Sequence, residues 1–206
     1  YRWMDCWTPL AMILRVSTGL DTNFFKDKIL KNEPKILKKY PPLNFDNEQT
    51  DGGTGLGVES LTSRFFQYNL LNWRGTRFLK HAIKESYQHY FQRKVDHIYV
   101  QCWANVMRDG DQIRPHVHAD KSITDKCEML SGNLFIYCDK STSTYYDDLE
   151  IDNNDGEMIL FPSYVPHHTS KYEGDNCRIS IAFDIYSEKG FELGINSNVR
   201  NHWKKI

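Results

Sequence analysis

Long apolar runs are missing from this chain. The longest near the amino terminus, Leu10 to Leu14, falls far short of the about 20 residues that a membrane-spanning helix needs. No charged leader with an apolar stretch and a small-residue cleavage site stands at the start either, so neither export nor membrane insertion is expected. An excess of one charge is also missing: 26 Lys and Arg face 27 Asp and Glu, for a net charge of −1. Electrostatic capture of nucleic acid or of an anionic membrane is therefore not expected. The densest basic patch, Lys35 to Lys39, reads as the solvated face of a helix. Five cysteines, Cys6, Cys102, Cys127, Cys138 and Cys177, are odd in number and hold no Cys-x-x-Cys pair. That pattern excludes a disulfide framework and a zinc ribbon, and it fits a reducing, cytoplasmic compartment. Internal repeats and low-complexity segments are absent too.

A chain of 206 residues suffices for one sizeable core, so a single domain over 1–206 is expected. Asp21 or Thr22 can cap a helix with Phe24, Phe25, Ile29 and Leu30 at helical spacing, and Pro34 should end it. From Pro41 to Gly57 the texture is polar, and Asp51-Gly52-Gly53-Thr54-Gly55-Leu56-Gly57 reads as a surface loop or lid. It lacks the preceding buried strand and the Gly-Lys-Ser/Thr ending of a phosphate loop. Residues 77 to 94 carry Phe78, Leu79, Ala82, Ile83, Tyr87, Tyr90 and Phe91 at helical spacing, an apolar stripe able to lie on a sheet.

After Asp96 the pattern changes to short runs rich in Ile, Val, Tyr and Phe. These predict strands over 97–108, 112–118, 130–138, 146–151, 157–162 and 177–186, separated by turn signals such as Asp109-Gly110-Asp111. The expected fold is an all-β core with flanking helices, an antiparallel sandwich or barrel. The helical and irregular part, 1–96, would pack on the core, 97–186, with 187–206 as a C-terminal extension.

Chemistry is concentrated in Arg114-Pro115-His116-Val117-His118-Ala119-Asp120, answered about fifty residues later by His167 and then by Arg178-Ile179-Ser180. On a strand His116 and His118 project from one face and Val117 from the other. Two imidazoles can then converge on one ion, each with a bond of about 2.0–2.1 Å. A third ligand is available where the run from Gly156 through Phe161-Pro162-Ser163 presents His167 or its neighbour His168. In Arg178-Ile179-Ser180-Ile181 the polar pair shares one face. If that face looks inward, the arginine needs a counter-anion, because an unpaired buried charge costs several kcal/mol, roughly. A dicarboxylate would supply one through a bidentate contact, with the Ser180 hydroxyl donating a further bond.

This ordered set resembles the 2-oxoglutarate/Fe(II)-dependent oxygenases, and more narrowly a phage and bacterial branch of them. The elements that carry the resemblance are Trp103-Ala104-Asn105, Gly110-Asp111, His116-Val117-His118, Ser131-Gly132, Phe161-Pro162-Ser163 with His167, and Arg178-Ile179-Ser180, over about residues 97 to 186. It is also similar to the prolyl hydroxylase arrangement, in which Pro-His-x-Asp holds the metal. The resemblance implies a double-stranded β-helix, a cupin-like jelly roll. Iron(II) would be held by three side chains, and 2-oxoglutarate by Arg178 and Ser180, with Asn105 contacting cosubstrate or substrate. His116 would be the first ligand and His167 the last. The usual donor set has two histidines and one carboxylate, yet His118 stands here where the carboxylate is expected. Either His116, His118 and His167 form the site, which the narrower pattern and the spacing from Gly110 favour, or Asp120 enters with His118 and leaves His116 outside.

Three functions compete at this point. The first is an oxygenase that uses Fe(II), 2-oxoglutarate and dioxygen on an organic or peptide substrate, a peptide side chain being the first guess. A three-histidine cupin-type dioxygenase without 2-oxoglutarate is the second, motivated by His118 and opposed by Arg178 and Ser180. A non-catalytic jelly-roll binding module is the third, since this architecture also serves recognition alone.

Overall fold

The computed structural model describes residues 2–7, 12–45, 48–138, 142–194 and 202–206. Its centre is a seven-stranded antiparallel sheet made of β1 (Arg2–Trp7), β2 (Met12–Ser17), β5 (Ile98–Met107), β6 (Leu130–Tyr137), β9 (Glu157–Pro162), β11 (Arg178–Ser187) and β12 (Lys204–Lys205). The strand order is β1-β2-β9-β6-β11-β5-β12. A second, three-stranded sheet has the order β10-β7-β8, from β7 (Ser143–Tyr146), β8 (Leu149–Asp152) and β10 (His167–Thr169). A hairpin of β3 (Leu43–Phe45) and β4 (Glu48–Thr50) stands apart. The fold is the double-stranded β-helix that the sequence led us to expect.

Strand alternation decides which face does what. On β11, Ile179, Ile181, Phe183 and Ile185 are buried in one cluster with Phe25 and Ile29 of α1 (Thr22–Lys39) and Leu79, Ile83 and Tyr87 of α2 (Arg77–Tyr90). Each such aliphatic or aromatic side chain contributes roughly 1.5–3 kcal/mol on burial. That apolar face fixes β11 against the helices. The other face of the same strand is left to line the space toward the smaller sheet.

Several elements differ from expectation. Pro34 does not end α1, which runs on to Lys39 with Pro34 inside it. The proline sits on the exposed side, while Glu33 and Ile36 beside it are buried, so tertiary packing outweighs the lost i→i−4 hydrogen bond. Residues 112–118 form no regular strand: only one bridge, His116 with His167, is made there, and Pro115 has no N–H to extend it. The run 146–151 is broken by a hairpin turn at 147–148, with Asp147 at φ 54°, so that Tyr146 ends β7 opposite Leu149, which opens β8. The amino-terminal part adds β1 and β2 to the main sheet through β2 and β9. Phe78, placed in the apolar stripe of α2, is 70% exposed. Among the described residues no helix is long and apolar enough to cross a membrane. Residues 139–141 of the expected turn before β7, and 195–201 of the C-terminal extension, lie outside the described set.

Candidate metal centre and adjoining cavity

A cavity of about 510 Å³ lies between the two sheets, within the range of small-molecule sites, about 300–1,000 Å³. The antiparallel register lays its floor in transverse rows. Arg178 stands opposite Met107; Ser180 opposite Asn105 and Phe135; Ala182 opposite Trp103 and Asn133; Asp184 opposite Gln101 and Ser131. Arg178 therefore lies at one end of a polar stripe and Asp184 at the other.

His116 and His167 are drawn together by a reciprocal backbone pair, His116 N–H to His167 O at 3.2 Å and His167 N–H to His116 O at 3.0 Å. Two residues on, the His118 N–H donates to Ser163 O at 2.9 Å. Extended backbone between these anchors turns both imidazoles the same way and leaves Val117 48% exposed. His116 and His118 thus meet at the cavity although a ladder is absent, and Val117 also reaches its lining. The ligand-type atoms of His116, His118 and His167 all lie within 4.8 Å of one another.

Protonation follows from the neighbours. His116 Nδ1 is 2.8 Å from Arg114 O, His167 Nδ1 is 3.1 Å from Val165 O, and His118 Nδ1 is 2.5 Å from Asp184 Oδ1. Carbonyls and a carboxylate cannot donate, so each Nδ1 carries a proton, and Nε2 is the nitrogen that each ring can offer to a metal in its neutral form. Burial, and next the neighbouring His118, lower the His116 pKa to about 4. The same influences, with His116 added, hold His167 well below its ordinary range. The Nε2 atoms of His116 and His118 are 3.3 Å apart. Bonds of 2.0–2.1 Å to a common ion would set two nitrogens about 3.0 Å apart at a right angle and about 3.4 Å apart at the tetrahedral angle. Ring nitrogens at that separation fit a divalent metal, and the donated Nδ1 protons supply the hydrogen bonds behind the ring that metal-bound histidines use.

Arg178 is 2% exposed and lines the same cavity. Its Nη2 donates to Thr144 Oγ1 at 3.0 Å, its Nη1 lies 3.1 Å from Met107 Sδ, and its guanidinium is 5.6 Å from the Phe135 ring centre. A buried guanidinium at the cavity wall fits a carboxylate ligand. Ser180 and Asn105 are buried on the same wall, and Asn105 Oδ1 accepts from Thr62 Oγ1 at 2.6 Å.

Other sequence candidates are placed elsewhere. Asp120 is exposed and caps α3 (Lys121–Cys127), its Oδ1 accepting from Ile123 N at 2.8 Å. Asp111 closes a turn onto Arg108 N. His168 stacks on Tyr145 with ring centres 4.7 Å apart. Leu43, Gly52 and Thr54 reach the cavity wall, so the glycine-rich loop lies at the rim. Its amides are already engaged, since the Asp51 carboxylate accepts from Gly53, Gly55 and Gly57 N–H at 2.8–2.9 Å. The loop therefore offers no phosphate cradle.

Sequence reasoning missed Asp184 and named Ser131 and Ser163 only as motif elements, without a role. The alternation that singled out Arg178 and Ser180 continues to Ala182 and Asp184, and two further steps would have found the carboxylate.

Residues 137–184 match the model of a family described as "Putative 2OG-Fe(II) oxygenase". The matched segment contains His167, Arg178 and Ser180, and it begins after His116 and His118. Among solved structures, a viral collagen prolyl hydroxylase from Paramecium bursaria Chlorella virus-1, in complex with 2-oxoglutarate, aligns with TM-score 0.55 and 11% identity. That alignment covers 85% of this chain and 96% of the hydroxylase. The non-heme α-ketoglutarate-dependent carbocyclase SnoK from nogalamycin biosynthesis aligns with TM-score 0.57 and 9% identity over 85% of this chain and 79% of its own. HygX from Streptomyces hygroscopicus, with nickel, 2-oxoglutarate and hygromycin B bound, gives TM-score 0.55 and 8% identity over 85% and 83%. No curated protein sequence matches the chain. The likeness to these structures shows the double-stranded β-helix fold, and within it residues 137–184 are similar to a family whose cofactors are Fe(II) and 2-oxoglutarate. The narrower likeness, through the family segment, is to the 2OG-Fe(II) oxygenase family named above.

Proposed function

We propose that this chain is an Fe(II)- and 2-oxoglutarate-dependent dioxygenase in which His116, His118 and His167 hold the metal and Arg178 with Ser180 holds the distal carboxylate of 2-oxoglutarate. The observation that carries this reading is the convergence of ligand-type atoms from three histidines within 4.8 Å, in a cavity whose wall also holds a buried arginine. Bound there, iron with dioxygen and 2-oxoglutarate would supply oxidative decarboxylation of the cosubstrate to succinate and carbon dioxide, coupled to hydroxylation of an unactivated C–H bond. The residues of this chain do the positioning. Arg178 and Ser180 fix the far end of the cosubstrate, and Asn105, one strand across from Ser180, contacts cosubstrate or substrate. Trp103, with its ring centre 5.8 Å from that of His118, forms part of the same cavity wall.

A peptide is the first substrate class to test. Gln101 supports it: its Nε2 donates to the carbonyls of Phe65 and Tyr68, while its buried Oε1 has no hydrogen-bond partner and its side chain lines the cavity. An N–H of the substrate would complete that acceptor.

Anaerobic titration of the Fe(II)-loaded protein with 2-oxoglutarate, followed by succinate release on admitting air, tests the proposal. Wild type should bind and turn over the cosubstrate, and Arg178→Ala should lose at least tenfold in cosubstrate affinity, about the value of one charge-assisted hydrogen bond. Failure of the metal-loaded wild type to bind 2-oxoglutarate would sink the proposal. The three-imidazole donor set motivates a second reading, a cupin-type dioxygenase without 2-oxoglutarate. Oxygen consumption by the Fe(II) protein in the absence of 2-oxoglutarate would favour it.

A further inference from the structure

We propose that Asp184 supplies, through His118, the negative charge that a carboxylate ligand would otherwise bring directly to the metal. The inference rests on the reading of His118 as a ligand and deepens it by assigning a positioning residue behind that ligand.

The geometry points to Asp184 from two directions. Its place on β11, opposite Ser131 of β6 and Gln101 of β5, sets it at the end of the cavity floor nearest His118. Its side chain is 10% exposed, and that of His118 is 12% exposed. One carboxylate oxygen, Oδ1, gathers the contacts: His118 Nδ1 at 2.5 Å and Ser131 Oγ at 2.6 Å. Ser131 Oγ in turn lies 2.8 Å from Ser163 Oγ. Since each hydroxyl has one proton, the chain that satisfies every member runs Ser163 to Ser131 to Asp184, with His118 donating to the same oxygen from the other side. Ser163 is itself anchored, because its carbonyl receives the backbone N–H of His118. One network thus fixes both the backbone and the ring of His118.

Two physical consequences follow. First, the ring cannot rotate without breaking a charge-assisted hydrogen bond, so Nε2 stays aimed beside that of His116. Second, the Asp184 carboxylate stands behind the His118 ring, one ring further from the ion than a direct carboxylate ligand would be. His116 and His167 differ, because their Nδ1 protons go to neutral backbone carbonyls. Only His118, at the position where a carboxylate was expected, is backed by a charge. Outer-shell carboxylates of this kind raise the basicity of the imidazole and stabilise the higher charge on the metal.

The test uses the full chain with Co(II) and Fe(II) as probes, and the variants Asp184→Asn and Asp184→Ala. Asparagine keeps the shape and the acceptor but removes the charge. Relative to wild type, Asp184→Asn should retain one metal per chain, bind Co(II) about 10–100-fold more weakly, and shift the Fe(III)/Fe(II) midpoint potential upward. Asp184→Ala should weaken binding further, because ring orientation is lost as well. Unchanged potential and Co(II) affinity in Asp184→Asn would overturn the proposal, and so would complete loss of metal from folded Asp184→Asn, which would make Asp184 a direct ligand. If Asp184→Asn does not fold, Ser131→Ala serves instead: it removes one donor from Oδ1 and should move the potential in the same direction by less than the charge deletion, no movement being the refuting result. Absence of Co(II) and Fe(II) binding by wild type would instead overturn the metal reading on which this rests, so the two failures are distinguishable.

Discussion

Gly132 gives the sharpest link between a sequence motif and the packing behind the site. It lies in β6, between β9 and β11, and a Cβ added there would stand 2.4 Å from Phe183 Cε2 and Cζ and 2.9 Å from Ile159 O. Ordinary carbon contacts are about 3.5–4.0 Å, so the overlap exceeds one ångström, roughly. Phe183 is fully buried, and its ring has no solvent to move into. Gly132→Ala must therefore tilt the Phe183 ring or slide strands against each other. Overpacking of this kind costs about 2–3 kcal/mol, the upper part of its usual range. For a chain of this size that corresponds to a Tm lower by about 4–12 °C. Thermal unfolding followed by circular dichroism measures it, and a double-mutant cycle with Phe183→Leu isolates the cause. The smaller side chain should recover part of the loss, giving a coupling of about 0.5–3 kcal/mol. Because Asp184 follows Phe183 directly, the same substitution should also weaken Co(II) binding. A Gly132→Ala protein within about 1 °C of wild type, or fully additive with Phe183→Leu, would refute the packing argument.

Asp120→Ala should keep one metal per chain and lose only a little thermal stability, since Asp120 caps α3, whereas His167→Ala should lose the metal; elemental analysis of protein purified without chelator decides both. The metal-free protein should lose stability as pH falls. His116 and His167 are held neutral below the ordinary histidine range in the folded state, so the unfolded chain binds more protons once pH drops below about 6.5. Stability is then full above that pH and declines through the acid side toward pH about 4, by at most about 1.4 kcal/mol per pH unit for each histidine; denaturant midpoints that stay level from pH 7 to 5 would contradict this. Glu33→Ala should lower stability by about 1 kcal/mol, because it removes the two-pronged pairing with Arg108, at 3.0 and 2.7 Å, that ties α1 to the end of β5. Unchanged unfolding in urea would count against that role.

Local pattern carried much of this molecule. Strands β5, β6, β9 and β11 lie within a residue of the runs read from their Ile, Val, Tyr and Phe content and the turn signals between them. Alternation put Arg178 and Ser180 on one face, and the fold turned that face to the cavity. Where it failed, a tertiary contact outweighed a local signal. Pro34 stays within α1 because the residues around it are buried. Asp147-Asp148 breaks the 146–151 run because Asp147 adopts a left-handed conformation, with its N–H given to Pro166 O at 2.7 Å. β1 and β2, outside the strands predicted from sequence, join the main sheet because β2 pairs with the distant β9 and β1 with β2.

The candidate site divides along the same line. Residue type and spacing alone determined that His116 and His118 face one way, that His167 is available to join them, and that Arg178 and Ser180 share a wall. Which carboxylate matters was decided only by the fold. Asp120, two residues from His118 in sequence, is turned outward to cap a helix, while Asp184, sixty-six residues away, holds its ring. Sequence periodicity reports the direction of a side chain within one strand; the partner it meets depends on register between strands, and register is set by packing across the whole sheet.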